Sequence, residues 1–366
     1  MKNKERTIRI IFLVISILVV GGIVAFILNF RLGRNKETIS VGAVFIGNTE
    51  DNAWNESNYT GINQACDRYS CRLYSQTNVP EEKESLESAV SKLAAKGCSC
   101  IFLTSYGYGN VAEDIVKKYP KIAFYFLSGD IRASNCASYF ARMYQVRYLA
   151  GIAAGAATES NILGFITSMS IPETVRSINA YALGARKADP SAKVLVKFTG
   201  SWDDKEAEES AAKMLADAGA DVITFHEDKP YSIDLADEMG LFTTGYDHVS
   251  GTYSEKFLTA VVFNWDIIYT RILDDYLSGR ANFSNDYWLG LEDGAVSLYP
   301  FSKAVNGETK KLIASEEERI KNRWDVFSGV IYDNNGNLRC NENERISDKE
   351  LFYNIDWYVE GVEIYE

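Results

Sequence analysis

NILGFITSMSIPETVRSINAYALGARKADPSAKVLVKFTGSWDD, residues 161–204, reads as a strand, a polar loop, an amphipathic helix and a second strand ending in a second polar loop. ILGFIT is a short continuous apolar run, the pattern of a parallel strand buried on both faces. Val175, Ile178, Ala182 and Ala185 then recur at helical spacing. Pro190 ends that helix, because proline has no N–H to donate and clashes with the preceding turn, and VLVKFTG returns as a strand. Such a unit crosses over right-handed, so the loops SMSIPE and GSWDD leave the carboxyl ends of neighbouring strands and open on one edge of the sheet. Open α/β sheets bind ligands at that edge.

Outward from this unit the alternation continues. TISVGAVFIG, RLYSQT, CIFLTS and IAFYFLSG read as strands separated by helices, among them ESLESAVSKLAAKG, which Gly97 closes as the residue just past a helix end. SYFARMYQVRYLAGIAAGAAT combines a strand and a helix, with small residues at Ala150, Gly151, Ala154 and Gly155 that let another element pack close. On the other side come helix EAEESAAKMLADAG, strand DVITFHED, a helix near 235–239 and LFTTGYD. Two βαβ series imply an α/β protein with two doubly wound parallel-sheet lobes and a ligand cleft between them. The expected divisions are 38–160 for the first lobe, with 257–285 returning to it, and 161–256 with 286–366 for the second. DNNGN, residues 333–337, is a hairpin turn, since Asn-Gly supplies the positive φ values a tight turn needs.

Composition narrows the partners. The 366 residues are 46% hydrophobic and 13% aromatic, enough for two cores, and the net charge of -12 argues against nucleic acid or anionic lipid as a partner. Residues 8–30, IRIIFLVISILVVGGIVAFILNF, carry Arg9 as their only charge. At about 1.5 Å per residue, 10–30 spans a hydrocarbon core of about 30 Å, so one N-terminal transmembrane helix is expected and 1–37 forms a membrane anchor and linker. Lys2, Lys4, Arg6 and Arg9 before the span and Arg31, Arg34 and Lys36 after it orient the binding domain to the extracytoplasmic side. The first cysteine is Cys66, which leaves no lipid attachment site after the apolar run. The six cysteines read as buried thiols, with Cys66 and Cys71 the alternative disulfide pair.

The strand-end loops hold the candidate chemistry. Trp54 and Asn55 in GNTEDNAWNESNY sit where a helix begins; an indole face beside an amide suits a flat heteroaromatic ring, while the plainer reading makes Trp54 a packing residue and Asn55 a helix cap. Trp202 in GSWDD, His226 and Asp228 in FHEDKP, Asp247 in GYDHVS, and Asn264 and Trp265 in FNWDI all follow strands and converge on one edge. Taken alone, His226 reads as a hydrogen-bonded structural histidine and Asp247 as the start of a turn. Tyr106 or Tyr108 of YGYGN is expected to line the cleft, and Tyr108 counts among the candidate ligand contacts. Arg176 is expected to pair with Glu173 at i, i+3. Only His226 and His248 could serve as histidine ligands and their spacing puts them on no common helix face, so no metal is expected. No G-x-S-x-G, P-loop, H-E-x-x-H or dinucleotide fingerprint occurs, so no cofactor and no catalytic residue is expected.

Several long blocks in order carry a resemblance: DNAWNESNYTG, RMYQVRYLAGIAAG, ILGFI followed by IPETVRSINAYALGARKADP, SWDDKEAEESAAKMLADAGADVI, and FSGVIYDNNGNLR followed by IDWYVEGVE. The chain resembles the basic membrane protein family of substrate-binding proteins of ABC-type uptake systems, built on the type 1 periplasmic-binding fold, from about residue 39 to 366. The resemblance implies a cleft that closes on a purine base or nucleoside, adenine first, and an ABC permease as partner. Carried over, Trp54 and Asn55 match the family's aromatic and Asn of the first loop, and Asp247 an acidic ligand contact after GY. The departure is at the N-terminus, where a membrane helix replaces the lipid-bearing cysteine. The alternatives are a tethered sensor with no transport role and a purine-nucleoside hydrolase using Asp228 or Asp247 with His226; a sugar is the nearest rival ligand.

Overall fold

The computed structural model describes residues 38–366 apart from Asn52, Arg132, His248 and 250–252, and the architecture below belongs to the unit Ser40–Glu366. The expected membrane span lies outside the described residues; among them no helix is long and apolar enough to cross a membrane.

The strands form two large sheets. The first contains β1 (Ser40–Val44), β2 (Arg72–Gln76), β3 (Cys98–Leu103), β4 (Ala123–Leu127), β5 (Cys136–Ala141) and β11 (Tyr287–Leu289), in the order β2-β1-β3-β4-β5-β11, every pair parallel. The second contains β6 (Ile162–Thr167), β7 (Lys193–Phe198), β8 (Val222–His226), β9 (Phe242–Tyr246), β10 (Phe257–Phe263), β12 (Val296–Leu298) and β15 (Val362–Ile364). Its order is β15-β7-β6-β8-β9-β10-β12, parallel except where β12 runs against β10. Strands β4 and β5 are buried at every position, as parallel strands covered on both faces must be. Both sheets thus contain the order second-first-third-fourth-fifth, with β15 added outside β7 in the second, and each reverses direction beside its first strand, at β1/β3 and at β6/β8. A crevice outside the carboxyl ends of the strands opens at such a reversal.

The helices are α1 (Trp54–Tyr69), α2 (Lys83–Ala95), α3 (Gly109–Lys118), α4 (Met143–Ala157), α5 (Pro172–Ala188), α6 (Lys205–Asp217), α7 (Tyr231–Glu238), α8 (Trp265–Leu277) and α9 (Gly307–Lys321). Helix α5 begins with Pro172, whose fixed φ suits a first helical turn, and buries Val175, Ile178, Ala182 and Ala185, the positions its spacing marks. Its partner is α4. A Cβ on Gly184 would lie 1.9 Å from the Tyr148 carbonyl oxygen and one on Gly151 2.2 Å from that of Tyr181, so these glycines let the two backbones touch. The small residues of GIAAG serve this approach.

The chain passes between the sheets three times, from β5 into α4, from β10 into α8, and from β11 to β12. Of residues 257–285, the strand β10 lies in the second sheet, whereas α8 packs on α1; β11, beyond that segment, joins the first sheet. Asn264 sits at one passage, its Nδ2 donating to the Gly294 carbonyl at 2.7 Å. The 333–337 turn joins β13 (Ile331–Tyr332) and β14 (Leu338–Cys340) with Gly336 at φ 81°. All six cysteines are free thiols, including Cys66 and Cys71.

Candidate functional site

A cavity of about 70 Å³ lies where the two reversal points face each other. The first half contributes Ile46, Trp54, Ser105, Tyr106 and Leu127, from the ends of β1, β3 and β4. The second half contributes Glu173, Trp202, His226, Asp228 and Tyr246, from the ends of β6 to β9. Topology alone brings these side chains together. Next to it a chamber of about 200 Å³ shares Tyr106 and Glu173 and adds Asn110, Ser128, Asp130 and Tyr353 to its wall.

Trp54 is held rigidly. Its Nε1 donates to the Thr104 carbonyl at 3.0 Å, and the ring takes edge contacts from Phe263 and Trp265 at centroid separations of 6.0 and 5.4 Å. Trp202 and His226 are neighbours with rings 6.2 Å apart, and Tyr246 lies against the His226 ring at 4.1 Å. The cavity therefore offers several flat faces, and neither lysine nor arginine lines it.

Other sequence-predicted residues take up structural roles. Asn55 accepts from Gly47 N at 3.1 Å and donates to Asp51 at 2.9 Å, so its amide fastens the loop that carries Trp54 and does not line the cavity. The N-cap of α1 is Ala53, and Asp51 two residues before it accepts from Ala53 N and from Glu56 N of the first turn, each at 3.0 Å. Tyr108 is fully buried in the core of the first half and donates to the Val79 carbonyl at 2.8 Å; Tyr106, at the other end of the same short turn, faces the cavity. Asp247 has φ 60° and accepts from Ser57 on α1 at 3.2 Å, outside the cavity wall. Trp265 stacks on Phe263 at 4.5 Å and, with Asn264, borders a separate groove beside α1. His248 lies outside the described residues.

Sequence reasoning passed over Glu173 and Tyr246. Glu173 does not pair with Arg176, whose Nη1 donates instead to the Leu351 carbonyl at 3.3 Å while its guanidinium lies over Phe140, Trp288 and Phe352. The partners of Glu173 are His226 Nε2 at 3.3 Å and the hydroxyl of Ser128. Burial opposes its ionisation, yet His226, Arg176 and Ser128 hold its carboxyl below the usual glutamate value. Burial also lowers His226 to about 4. A neutral imidazole facing an ionised carboxylate, which can only accept, carries its proton on Nε2.

The other acids of this edge are shifted upward. Burial, helped by Asp203, Asp51 and Asp247, pushes Asp228 to about 8. Burial raises Glu227 to about 10 and Glu208 to about 8, and Asp247 to about 7. Asp228 therefore keeps its proton to higher pH than an ordinary aspartate, and while protonated it can donate as well as accept, whereas the ionised Glu173 on the same cavity wall only accepts. Among the described residues no group of three or more His, Cys, Asp or Glu side chains is arranged to hold a metal ion.

Two parallel α/β halves with a cavity between their reversal points make the two-lobed fold that ABC transporter solute-binding proteins share with LacI-family regulators. Residues 38–327 match the family model described as ABC transporter substrate-binding protein PnrA-like, and the chain belongs to that family, Bmp. It is 31% identical over 349 residues to a purine-binding protein of Brucella abortus, covering 93% of this chain and 98% of that one. It is equally 31% identical, over 329 residues, to a Haloferax volcanii protein named as an ABC transporter glucose-binding protein, covering 89% of this chain and 81% of that one. In fold it is similar to an ABC transporter solute-binding protein of Aeropyrum pernix K1, with a TM-score of 0.67 at 18% identity over 78% of this chain and 91% of the other.

Proposed function

We propose that the protein closes its two halves on a purine base, adenine first, outside the cytoplasmic membrane, tethered by residues 1–37, and presents it to an ABC permease. The observation that carries this reading is the cavity itself. Indole, phenol and imidazole rings border it, and a purine has two flat faces to lay against them. Its rim of donors and acceptors then meets an acceptor-only Glu173 and a protonated Asp228. A phosphate would need a cation or a row of helix-start amides, and neither lysine nor arginine lines the cavity. Trp54, Trp202, His226 and Asp228 are the ligand contacts in this reading, with Tyr106, Glu173 and Tyr246. A nucleoside would place its ribose in the 200 Å³ chamber past Tyr106 and Glu173.

The named glucose-binding relative favours a second reading, since tryptophan faces and carboxyls also hold pyranoses. Calorimetry on the full-length protein in detergent, with adenine, guanine, adenosine, AMP, ribose and glucose, separates the two. Adenine binding tightest, with no response to AMP, is the expected result; tight glucose binding without a purine response overturns the assignment.

A further inference from the structure

Glu173 stands where the wall of the cavity meets the opposite half. Its Oε1 pairs with His226 at the end of β8, and its Oε2 accepts from Ser128 on the loop leaving β4 of the first sheet. All three side chains are buried, and Glu173 borders both the cavity and the adjoining chamber. Ser128 is itself fixed, its backbone nitrogen donating to the Tyr139 carbonyl at 2.9 Å. Other polar contacts also join the halves, among them Ser57 to Asp247 and Lys229 to the Asp51 carbonyl, and none of those four residues lines the cavity. Among these bridges, only Glu173 touches the space a ligand would fill.

We infer that Glu173 is a positioning residue that couples occupation of the cavity to docking of the two halves, an inference that rests on reading this cavity as the ligand site. With the halves apart, water can solvate the carboxylate. A ligand that fills the cavity displaces that water and can answer only the cavity-facing side of the ionised carboxylate, so its other side needs a donor of its own. The Ser128 hydroxyl supplies it only when the first half arrives. Filling the site therefore makes the open arrangement costly and the closed one favourable, which is the differential interaction any ligand-driven closure requires.

The test compares full-length wild type with Ser128→Ala, Glu173→Gln and the double variant. Ser128 is outside the wall of the small cavity, so its removal leaves the ligand contacts there in place. In ligand-free protein, hydrogen exchange should quicken in both single variants at the cleft-facing segments 46–58, 126–130 and 171–176, while β6 and β8 keep wild-type protection. The double variant should exchange no faster than either single one. With adenine, Ser128→Ala should raise the dissociation rate roughly tenfold with the association rate nearly unchanged, the scale of one hydrogen bond to a charged group. Wild-type exchange at the cleft in both single variants, or effects that simply add in the double variant, would overturn the coupling. Should neither adenine nor any sugar bind the wild type, the assigned ligand falls and the coupling to it falls too, whereas the exchange comparison separately decides whether the Glu173–Ser128 bond holds the halves together.

Discussion

The indole N–H of Trp54 is tied to the carbonyl of Thr104 at 3.0 Å, which joins the start of α1 to the end of β3 across the mouth of the first half. The ring is therefore set in place before any ligand arrives. A preset aromatic face loses little freedom on binding, so its removal should cost the ligand most of the stacking free energy, roughly 1–3 kcal/mol by analogy with bases on aromatic side chains. Trp54→Ala should weaken adenine binding about ten- to a hundredfold in calorimetry. Full affinity in that variant would remove Trp54 from the site.

Asp228 ties binding to pH. Pushed up to about 8 by burial and by Asp203, Asp51 and Asp247, the half-buried carboxyl offers a donor below that pH and a negative charge in the cavity wall above it. Adenine affinity should be level from about pH 6 to 7.5 and fall as pH rises through 8. Asp228→Asn, which keeps a donor at all pH values, should flatten the alkaline limb. An unchanged limb in that variant would assign the titration elsewhere.

Stability should follow a related profile with a calculable sign. Asp228, Glu208, Glu227 and Asp247 all hold their protons to higher pH in the folded chain than in the unfolded one. Between about pH 4 and 8 the folded state then binds more protons, and stability declines as pH rises. His226 acts the other way, since its value is lowered to about 4 and its contribution is lost as pH falls below its ordinary 6.5. Four groups outweigh one, so the thermal midpoint should be higher at pH 5.5 than at pH 8. Scanning calorimetry across that range checks the direction.

Tyr106 and Tyr108 separate binding from folding. Tyr108→Phe deletes a buried hydroxyl and strands the Val79 carbonyl that accepts from it, at a cost of about 1–2 kcal/mol in urea unfolding, with adenine affinity unchanged. Tyr106→Ala should do the reverse, weakening binding with little effect on the unfolding midpoint.

Gly184 should accept no side chain. Gly184→Ala sets a methyl 1.9 Å from the Tyr148 carbonyl, so α4 and α5 must move apart, at about 1–3 kcal/mol or more. An unfolding midpoint equal to wild type would contradict the close approach.

The strands and helices of the second half were legible because buried parallel strands are uninterrupted apolar runs and α5 carries apolar residues at helical spacing between a starting and a stopping proline, although it is buried on nearly every side, polar residues included. The order of strands in the two halves then placed Trp54 at the ligand edge of the first sheet and Trp202, His226 and Asp228 at that of the second. What the order of strands could not convey is which way a side chain turns just beyond a strand end. Tyr106 and Tyr108 are two residues apart on one short helical turn, and that separation sends one to the cavity and the other to the core. Glu173 was hidden by a local decoy: Arg176 at helical spacing offered an ion pair, whereas the actual partners lie 45 and 53 residues away along the chain. Asn55 has the residue type of a ligand reader, but Asp51, four positions earlier, already engages its amide.

The three passages between the sheets also govern how the molecule can be made and unmade. Strand β11, residues 287–289, is the outer edge of the first sheet, although the whole of β6 to β10 has been laid down before it. A ribosome has thus released most of the second half before the first is complete, and each half waits on the other. Nor would cutting the backbone once, at any single passage, set a half free, because two more strands of chain would still hold it to its neighbour.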